Sequence, residues 1–255
     1  MREASIRPVI KIYGERNTGT NYLLKLLRRN LEVDLLRGVV PWYVRIPFPQ
    51  SELARDLYFA VTSRWNLGWK HCLAPLPAVV RALRGHSDNL FFVTLTKNPY
   101  SWLLSLYRHP HHYRRELGTF QQFLSAPWAT VRREKTVSEY PNPIIMWNEK
   151  NTAYLRLAAE MPTANLRYED LLADPERTLM QLATQYSIHK SRPDFANVIA
   201  STKEREGAKD FSYYQNYYLH EQWRAELQAL ALHTINKYLD FDLMRQFGYA
   251  KLEVV

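Results

Sequence analysis

The sequence predicts an α/β fold: a three-layer α/β/α sandwich with a central parallel sheet and a phosphate-binding loop after the first strand. Short apolar segments alternate along the chain with amphipathic helical segments, the pattern of parallel-sheet proteins. The run Leu90–Thr96 (LFFVTLT) is apolar and rich in β-branched residues, as in a strand buried on both faces. Residues 10–27 (IKIYGERNTGTNYLLKLL) pass from a strand through a turn-forming loop into a leucine-rich helix.

The order of predicted elements follows from apolar periodicity and from Gly, Pro and capping residues. Strands are expected at 8–13, 58–61, 67–70, 90–96 and 163–167, and helices at 20–31, 77–84, 100–107, 144–160, 175–186 and 221–239. Asp174 is the expected N-cap of the helix that begins at Pro175. The last helix is expected to bury Leu227, Leu230 and Ile235. We expect one domain over residues 1–255, with substrate-side insertions near 33–56 and 109–143.

Composition limits the classes of partner. The formal net charge of +9 over 255 residues favours anionic partners, although a solvated basic surface is the simpler alternative. Seven Trp and 17 Tyr suit stacking on sugars or bases, or core packing. The single cysteine, Cys72, excludes an internal disulfide, and no apolar run is long enough to span a membrane. The sequence therefore predicts a cytoplasmic protein without a membrane span.

The loop after the first strand has the features of an anion cradle. Gly14 and Gly19 have the G-x4-G spacing of a phosphate loop, and Thr20 follows them. Backbone N–H groups at such a helix N-terminus bind phosphate, while Thr18 and Thr20 add hydroxyl donors. Arg16 offers a planar fork for phosphate or sulfate oxygens. An ATP- or GTP-binding loop carries Lys directly after its second glycine, and this chain does not.

A second basic position follows the most apolar strand. Lys97 ends the run before Asn98 and Pro99, and Ser105 lies two turns into the next helix. Ligands of parallel sheets bind outside the carboxyl ends of the strands, so this pair could bind a second phosphate. Taken alone, Lys97 is more simply a solvated strand-end charge, and Ser105 a packing serine.

Three segments together resemble one family. GERNTGTNYL resembles the 5′-phosphosulfate loop of sulfotransferases that use 3′-phosphoadenosine 5′-phosphosulfate (PAPS), and VTLTKNPYSWLLS is similar to their 3′-phosphate motif. LRYEDLLADPERTL is like their Tyr-Glu-Asp-Leu segment. The three occur in the family's order and cover residues 10–182. The resemblance implies PAPS as donor and no metal, and His109, His111 and His112 are better explained as a basic loop than as a zinc site.

The resemblance also implies the residues that hold the donor. The loop would bind the 5′-phosphosulfate and flank the adenine, Lys97 and Ser105 would bind the 3′-phosphate, and Tyr168 would lie near the base. The implied donor-binding residues are Arg16, Asn17, Thr18, Gly19, Thr20, Asn21, Tyr22, Lys97, Ser105 and Tyr168.

The catalytic residues are assigned with alternatives. His71, in GWKHCLAP, resembles the family's catalytic base, and a neutral imidazole suits proton removal at neutral pH. A structural histidine at a strand end is the competing interpretation, and Glu15 is the alternative base. The family commonly has Lys where this chain has Asn17, so Arg16 and Lys70 are the candidate cations for the leaving oxygen.

The 3′-phosphate site departs from the family in two further ways. Lys97 stands where the family has Arg, which keeps the charge but loses bidentate geometry. The family's Gly-x-x-Gly-x-Trp-Lys loop is not recognisable. Residues 205–216 (REGAKDFSYYQN) occupy its place, with Arg205 or Lys209 as substitutes.

The leading hypothesis is a PAPS-dependent sulfotransferase that acts on an acceptor hydroxyl, with a carbohydrate or glycolipid favoured as acceptor. A P-loop kinase or NTPase is the first alternative, and it requires a Lys after Gly19 and an acidic metal ligand. The second is a non-enzymatic binder of nucleic acid or another anionic polymer, which leaves the two phosphate motifs unexplained. The identity of the acceptor and the oligomeric state stay open.

Overall fold

Four parallel strands form the central sheet of the computed structural model, which describes residues 7–47, 51–85, 89–111, 116–202 and 209–253. The strands in chain order are β1 (Val9–Gly14), β2 (Asp34–Leu35), β3 (Leu90–Thr96), β4 (Trp128–Ala129), β5 (Glu139–Tyr140) and β6 (Thr163–Arg167). The sheet order is β2-β1-β3-β6, with every neighbouring pair parallel, while β4 and β5 form a separate antiparallel pair. This topology confirms the predicted α/β class.

Helices cover the sheet. They are α1 (Thr20–Asn30), α2 (Trp42–Arg45), α3 (Glu52–Asn66), α4 (Pro77–Arg84), α5 (Pro99–Arg108), α6 (Phe120–Ser125), α7 (Pro143–Ala158), α8 (Tyr168–Ala173), α9 (Pro175–Gln185), α10 (Phe211–Leu219), α11 (Ala229–Tyr238) and α12 (Phe241–Gln246). No helix in the described ranges is long and apolar enough to cross a membrane.

The predicted central strand is confirmed at its predicted bounds. β3 pairs with β1 from Leu90 to Leu95 and with β6 from Phe92 to Thr96. Apart from Phe91, its side chains are buried, because helices pack on both faces of the sheet. The N-cap prediction also holds, since the Asp174 carboxylate accepts a 2.9 Å hydrogen bond from the backbone N–H of Arg177.

The strands predicted at 58–61 and 67–70 are wrong. The first lies inside α3, which begins after the N-cap Ser51 and ends at Leu67 in the left-handed conformation (φ 58°). Apolar residues occur on the outward side of α3 as well as the inward side, so the helical period is hidden in the sequence. The second segment is a loop. Its backbone hydrogen bonds to Gly14 and Gly38 are made by Lys70 alone and do not form a strand ladder.

The helix predicted over 221–239 is wrong at its start. Residues 222–226 form a short 3-10 turn, Leu227 is extended, and α11 begins only at Ala229. Ile235 is buried as expected, whereas Leu230 is 64% exposed. The expected insertion near 33–56 contains β2, α2 and the start of α3. The one near 109–143 contains α6, β4 and β5.

Candidate active site

Two glycines shape the loop between β1 and α1. A Cβ on Gly14 would lie 2.9 Å from the carbonyl oxygen of Leu95, too close for any side chain. Gly19 has φ 88°, and a Cβ there would lie 2.5 Å from the ring of Tyr168. Both positions therefore require glycine, the first for packing against β3 and the second for backbone conformation and contact with α8.

Hydrogen bonds within the loop hold it closed. They do not involve the start of α1, which stays open to a ligand. The Thr18 hydroxyl donates to the Glu15 carbonyl at 2.6 Å, and the Thr18 N–H donates to the same oxygen at 3.3 Å. No side chain caps α1, because its N-cap residue is Gly19. α1 has eleven residues, and its uncapped N-terminus follows a glycine loop. Such an N-terminus is a suitable site for phosphate or sulfate.

The second predicted anion position lies at the end of β3. Lys97 is 1% exposed, and its Nζ donates to the Ser105 hydroxyl at 2.9 Å and to the Asn17 carbonyl at 3.4 Å. The Asn98 side chain caps α5 by accepting from the Tyr100 N–H at 3.1 Å. The Lys-Asn-Pro sequence thus turns the chain from strand to helix, and it brings Lys97, Ser105 and the loop together.

An aromatic wall on α8 and α10 faces these two positions. Phe211, Tyr214 and Tyr218 line it at i, i+3 and i+7 of α10, beside Tyr168 at the start of α8. Lys97 Nζ lies 3.7 Å from the centroid of the Tyr218 ring. The sequence interpretation missed α10, because it treated 205–216 as a loop. The helical spacing of the three rings is the signal that could have identified it.

One cavity of about 770 Å³ joins the loop, the Lys97 position and the aromatic wall. Its volume lies in the usual range for sites of small molecules and cofactors. The predicted residues that line it are Arg16, Asn17, Gly19, Thr20, Asn21, Tyr22, His71, Lys97 and Tyr168. Thr18, Lys70 and Ser105 lie behind that lining, each hydrogen-bonded to a neighbour. Nine of the twelve predicted residues therefore share one cavity.

His71 is held in one tautomer at the cavity wall. Its Nδ1 lies 2.5 Å from the Gly14 carbonyl oxygen. Because a carbonyl only accepts, Nδ1 carries the proton and Nε2 carries the lone pair. Burial, with the charges of Lys70 and Arg16 nearby, lowers the pKa of His71 well below its usual value. The imidazole is therefore neutral at pH 7, with the lone pair on Nε2.

Lys70 lies one hydrogen bond behind the cavity. Its ammonium donates to the side-chain oxygen of Asn21 in the first turn of α1. Its backbone N–H donates to the Gly38 carbonyl at 3.0 Å, and its carbonyl accepts from the Gly14 N–H at 3.0 Å. Burial lowers the pKa of Lys70 to about 8. Its charge adds to the positive end of the α1 dipole, where an anion is favoured.

Arg16 belongs to a buried ionic cluster. Its guanidinium lies 3.0 Å from the Glu134 carboxylate and 3.5 Å from that of Glu15. Lys150 Nζ lies 2.7 Å from Glu15 and 2.9 Å from Glu134, and donates to the His71 carbonyl at 2.6 Å. Burial opposes the charge of Lys150, but the two carboxylates together raise its pKa. Two cations and two anions thus balance beside the loop.

This cluster changes the interpretation of two predicted residues. Glu15 is ion-paired and 3% exposed, so it is poorly placed to act as the alternative base. Arg16 lines the cavity while its guanidinium pairs with carboxylates. It also lies 4.6 Å from the Trp69 ring centroid. Arg16 thus reaches the cavity with its charge paired to carboxylates, whereas Lys70 lies behind Asn21, and both stay candidate cations for the leaving oxygen.

The structure describes Asn17 and one of the two residues that were expected to substitute for the missing C-terminal motif. Asn17 has φ 65°; its side chain donates to the His109 carbonyl at 3.2 Å and contacts His111 Nε2 at 3.1 Å. Lys209 lies over the Tyr213 ring at 5.0 Å from its centroid, outside the cavity lining. Arg205 and His112 lie outside the described residues.

Arg108, at the end of α5, is a cavity-lining cation that the sequence interpretation missed. Its guanidinium donates to the Tyr217 hydroxyl at 2.8 Å and pairs with Glu226. It was missed because it ends the helix that contains Ser105 and belongs to no motif of its own. Within the described ranges, no group of three or more His, Cys, Asp or Glu residues could hold a metal ion.

Among solved structures, the fold of this chain is similar to that of sulfotransferases. No family model matches the sequence, and no curated protein matches it. A sulfotransferase from Alicyclobacillus acidocaldarius is 15% identical with a TM-score of 0.49, over 94% of this chain and 99% of that one. The sulfotransferase domain from the curacin biosynthetic pathway is 13% identical with a TM-score of 0.47, over 97% and 99%.

A third similar structure is the sulfotransferase domain from the Synechococcus PCC 7002 olefin synthase. It is 15% identical with a TM-score of 0.44, over 98% of each chain. All three structures are named as sulfotransferases or sulfotransferase domains. These sequence identities and TM-scores are too low to establish the function of this chain, which we infer from its site.

Proposed function

We propose that this protein transfers a sulfuryl group from PAPS to an acceptor hydroxyl. The observation that carries the proposal is the meeting of two anion positions in one cavity, the start of α1 and Lys97 with Ser105. PAPS has anionic groups at both its 5′ and 3′ positions. Its adenine would lie between these groups and the aromatic wall. The cavity volume of about 770 Å³ also accommodates a nucleotide beside an acceptor group.

The loop favours this donor over a nucleoside triphosphate. Thr20, which is 4% exposed, occupies the position of the lysine that contacts the β- and γ-phosphates in ATP- and GTP-binding loops. Glu169, the acid closest in sequence to the end of β6, is already bonded to the Asn98 N–H at 3.0 Å and to the Tyr249 hydroxyl at 2.7 Å. Neither feature suits binding of a metal-bound triphosphate.

The residues of the cavity suit the proposed chemistry. When bound, PAPS would supply an electrophilic sulfur and a leaving 3′,5′-adenosine diphosphate. The Nε2 of His71 would accept the proton of the acceptor hydroxyl, as its neutral state allows. The N-terminus of α1, with Lys70 behind Asn21, would stabilise negative charge on the leaving oxygen. The rest of the catalysis would come from positioning within the cavity.

The acceptor that we favour is a carbohydrate or glycolipid hydroxyl, in a cytoplasmic setting. Arg108, His109 and His111 give the cavity a basic side that suits an anionic acceptor. Cys72 is buried and has no disulfide partner, which is compatible with a reducing compartment.

Calorimetry tests the donor assignment. The protein is titrated with 3′,5′-adenosine diphosphate, ADP and ATP, each in EDTA and again with Mg²⁺. We expect the first ligand to bind most tightly and without dependence on Mg²⁺. Tight binding of ATP only with Mg²⁺ would refute the proposal and favour the kinase alternative. Transfer of labelled sulfate from PAPS onto a panel of glycans, lipids and phenols then identifies the acceptor.

A further inference from the structure

Exposed apolar side chains concentrate in one part of the fold. Of the fifteen large apolar side chains that are exposed in the described ranges, eleven lie between Val39 and Leu83. We call these eleven the apolar face. They are Val39, Trp42, Tyr43, Ile46, Leu53, Leu57, Val61, Trp65, Leu76, Val79 and Leu83. Scattered exposed leucines need no explanation, but a cluster of this size on consecutive helices does.

Helix α3 carries large apolar side chains on its outward side as well as on its buried side. Its outward row carries Leu53, Leu57 and Val61, which are 70%, 61% and 59% exposed. Its buried residues are Phe59, Ser63 and Asn66. A helix that faces water normally buries its apolar stripe and exposes its polar one. Covering the outward row of α3 with a further apolar phase would therefore be favourable, because it removes apolar surface from water.

The helices on either side extend the same surface. α3 packs against α2 and against α4. Trp42 at the start of α2 and Ile46, its C-cap residue, are four residues apart and 70% and 68% exposed. On α4, Val79 and Leu83 are four residues apart and exposed, while the intervening Val80 is buried. Helical spacing therefore places apolar side chains on the outside of all three helices.

The charges around the apolar face are mainly positive. The two acids of α3, Glu52 and Asp56, turn toward Arg133, at 2.5 Å and 2.8 Å from its guanidinium nitrogens. Arg64 is exposed beside the Trp65 ring, at 3.9 Å from its centroid. Residues 37–85 contain six arginines and one lysine against these two acids, although Lys70 is buried and Arg55 and Arg81 pair with Glu52 and Glu160. An apolar surface with basic residues around it complements an apolar layer with an anionic border.

We propose that the apolar face docks on the surface of a lipid bilayer that contains anionic lipids. Apolar side chains enter the boundary between headgroups and acyl chains, and arginines contact lipid phosphates. A two-fold contact between two copies would instead bring the same basic residues together, which like-charge repulsion opposes. This inference goes beyond the proposed transfer reaction and does not depend on it.

Docking would place the candidate active site near the membrane. The C-terminal end of α3 continues through Leu67 to Lys70 and His71. The chain that enters α2 passes Gly38, whose carbonyl accepts the Lys70 N–H. Two elements of the apolar face thus connect directly to the segment that holds the candidate base. A membrane-anchored acceptor would then present its headgroup close to the cavity.

Vesicle co-sedimentation of the full chain tests the proposal. We expect the protein to sediment with phosphatidylcholine–phosphatidylglycerol vesicles, and less with phosphatidylcholine alone. The variant Leu57→Glu/Val61→Glu should lower the partition coefficient by about tenfold or more, because two apolar contacts become charged. Arg64→Gln should lower binding to the anionic vesicles selectively, and added salt should do the same.

The matched control is Leu230→Glu, which changes a 64% exposed leucine on α11, outside the apolar face. It should bind vesicles like the unmodified protein, and thermal unfolding checks that all variants are folded. Equal partitioning of the double variant and this control would overturn the proposal, as would absence of vesicle binding. A dimer in lipid-free sedimentation velocity that the double variant dissociates would assign the face to a second copy instead.

Discussion

Replacement of Lys97 by Met tests the second anion position directly. Lys97 is 1% exposed, and its ammonium lies near both the Ser105 hydroxyl and the Tyr218 ring. Met has a similar length and keeps the apolar contacts, so stability should change little. The ligand, however, loses one charge-assisted hydrogen bond, worth about 1.5–3 kcal/mol. Affinity for 3′,5′-adenosine diphosphate should therefore fall by roughly 10- to 150-fold.

The assay compares two ligands that differ only in the 3′-phosphate. Calorimetry with 3′,5′-adenosine diphosphate and with adenosine 5′-monophosphate gives the contribution of that phosphate in each protein. Lys97→Met should remove the difference between the ligands and leave binding of the monophosphate nearly unchanged. The matched control is Lys237→Met, since Lys237 lies 5.0 Å from the Tyr238 ring centroid, away from the cavity. An equal loss for both ligands in Lys97→Met would refute the assignment.

Three further predictions concern the base, the leaving-group cation and the ionic cluster. His71→Asn should keep donor binding in calorimetry and lower kcat by about 10²–10⁴; normal turnover would exclude His71 as the base. Because burial lowers the pKa of Lys70 to about 8, kcat/KM should fall as pH rises through that value and the ammonium loses its proton. In Lys70→Arg the fall should move to higher pH, and an unchanged alkaline profile would exclude Lys70 from catalysis. Glu134→Gln should lower the free energy of unfolding in urea by about 3–5 kcal/mol, because it leaves an uncompensated buried cation. Adding Lys150→Met should restore part of that loss, and a strictly additive second loss would contradict the charge-balance argument.

Much of the site could be predicted because its residues follow from local rules. The strand–loop–helix pattern placed Gly14, Gly19 and Thr20, and the Lys-Asn-Pro turn placed Lys97 at a strand end. Ser105 came from helical spacing within the next element. Each of these inferences needs only residues close together in sequence. The structure confirms the elements and shows Lys97 and Ser105 in contact, while their roles stay predictions.

Prediction from the sequence failed where burial depends on distant segments of the chain. α3 was taken for strands because its apolar residues face both ways, and only the packing of α2 and α4 shows which side is outward. Tyr218 of α10 contacts Lys97 and Ser105 from more than a hundred residues away. No local pattern reports such a contact.

The sequence by itself determined the α/β class, the glycine loop and the basic position after β3, since hydrophobic period and turn chemistry are local properties. Only the tertiary structure decided which charges face the cavity. It pairs Arg16 with Glu134 and sets Lys70 behind Asn21. It also fixes the proton of His71 on Nδ1 through the Gly14 carbonyl. The physical reason is that the ionisation and availability of a charge depend on its burial and its neighbours, which folding brings from distant parts of the chain.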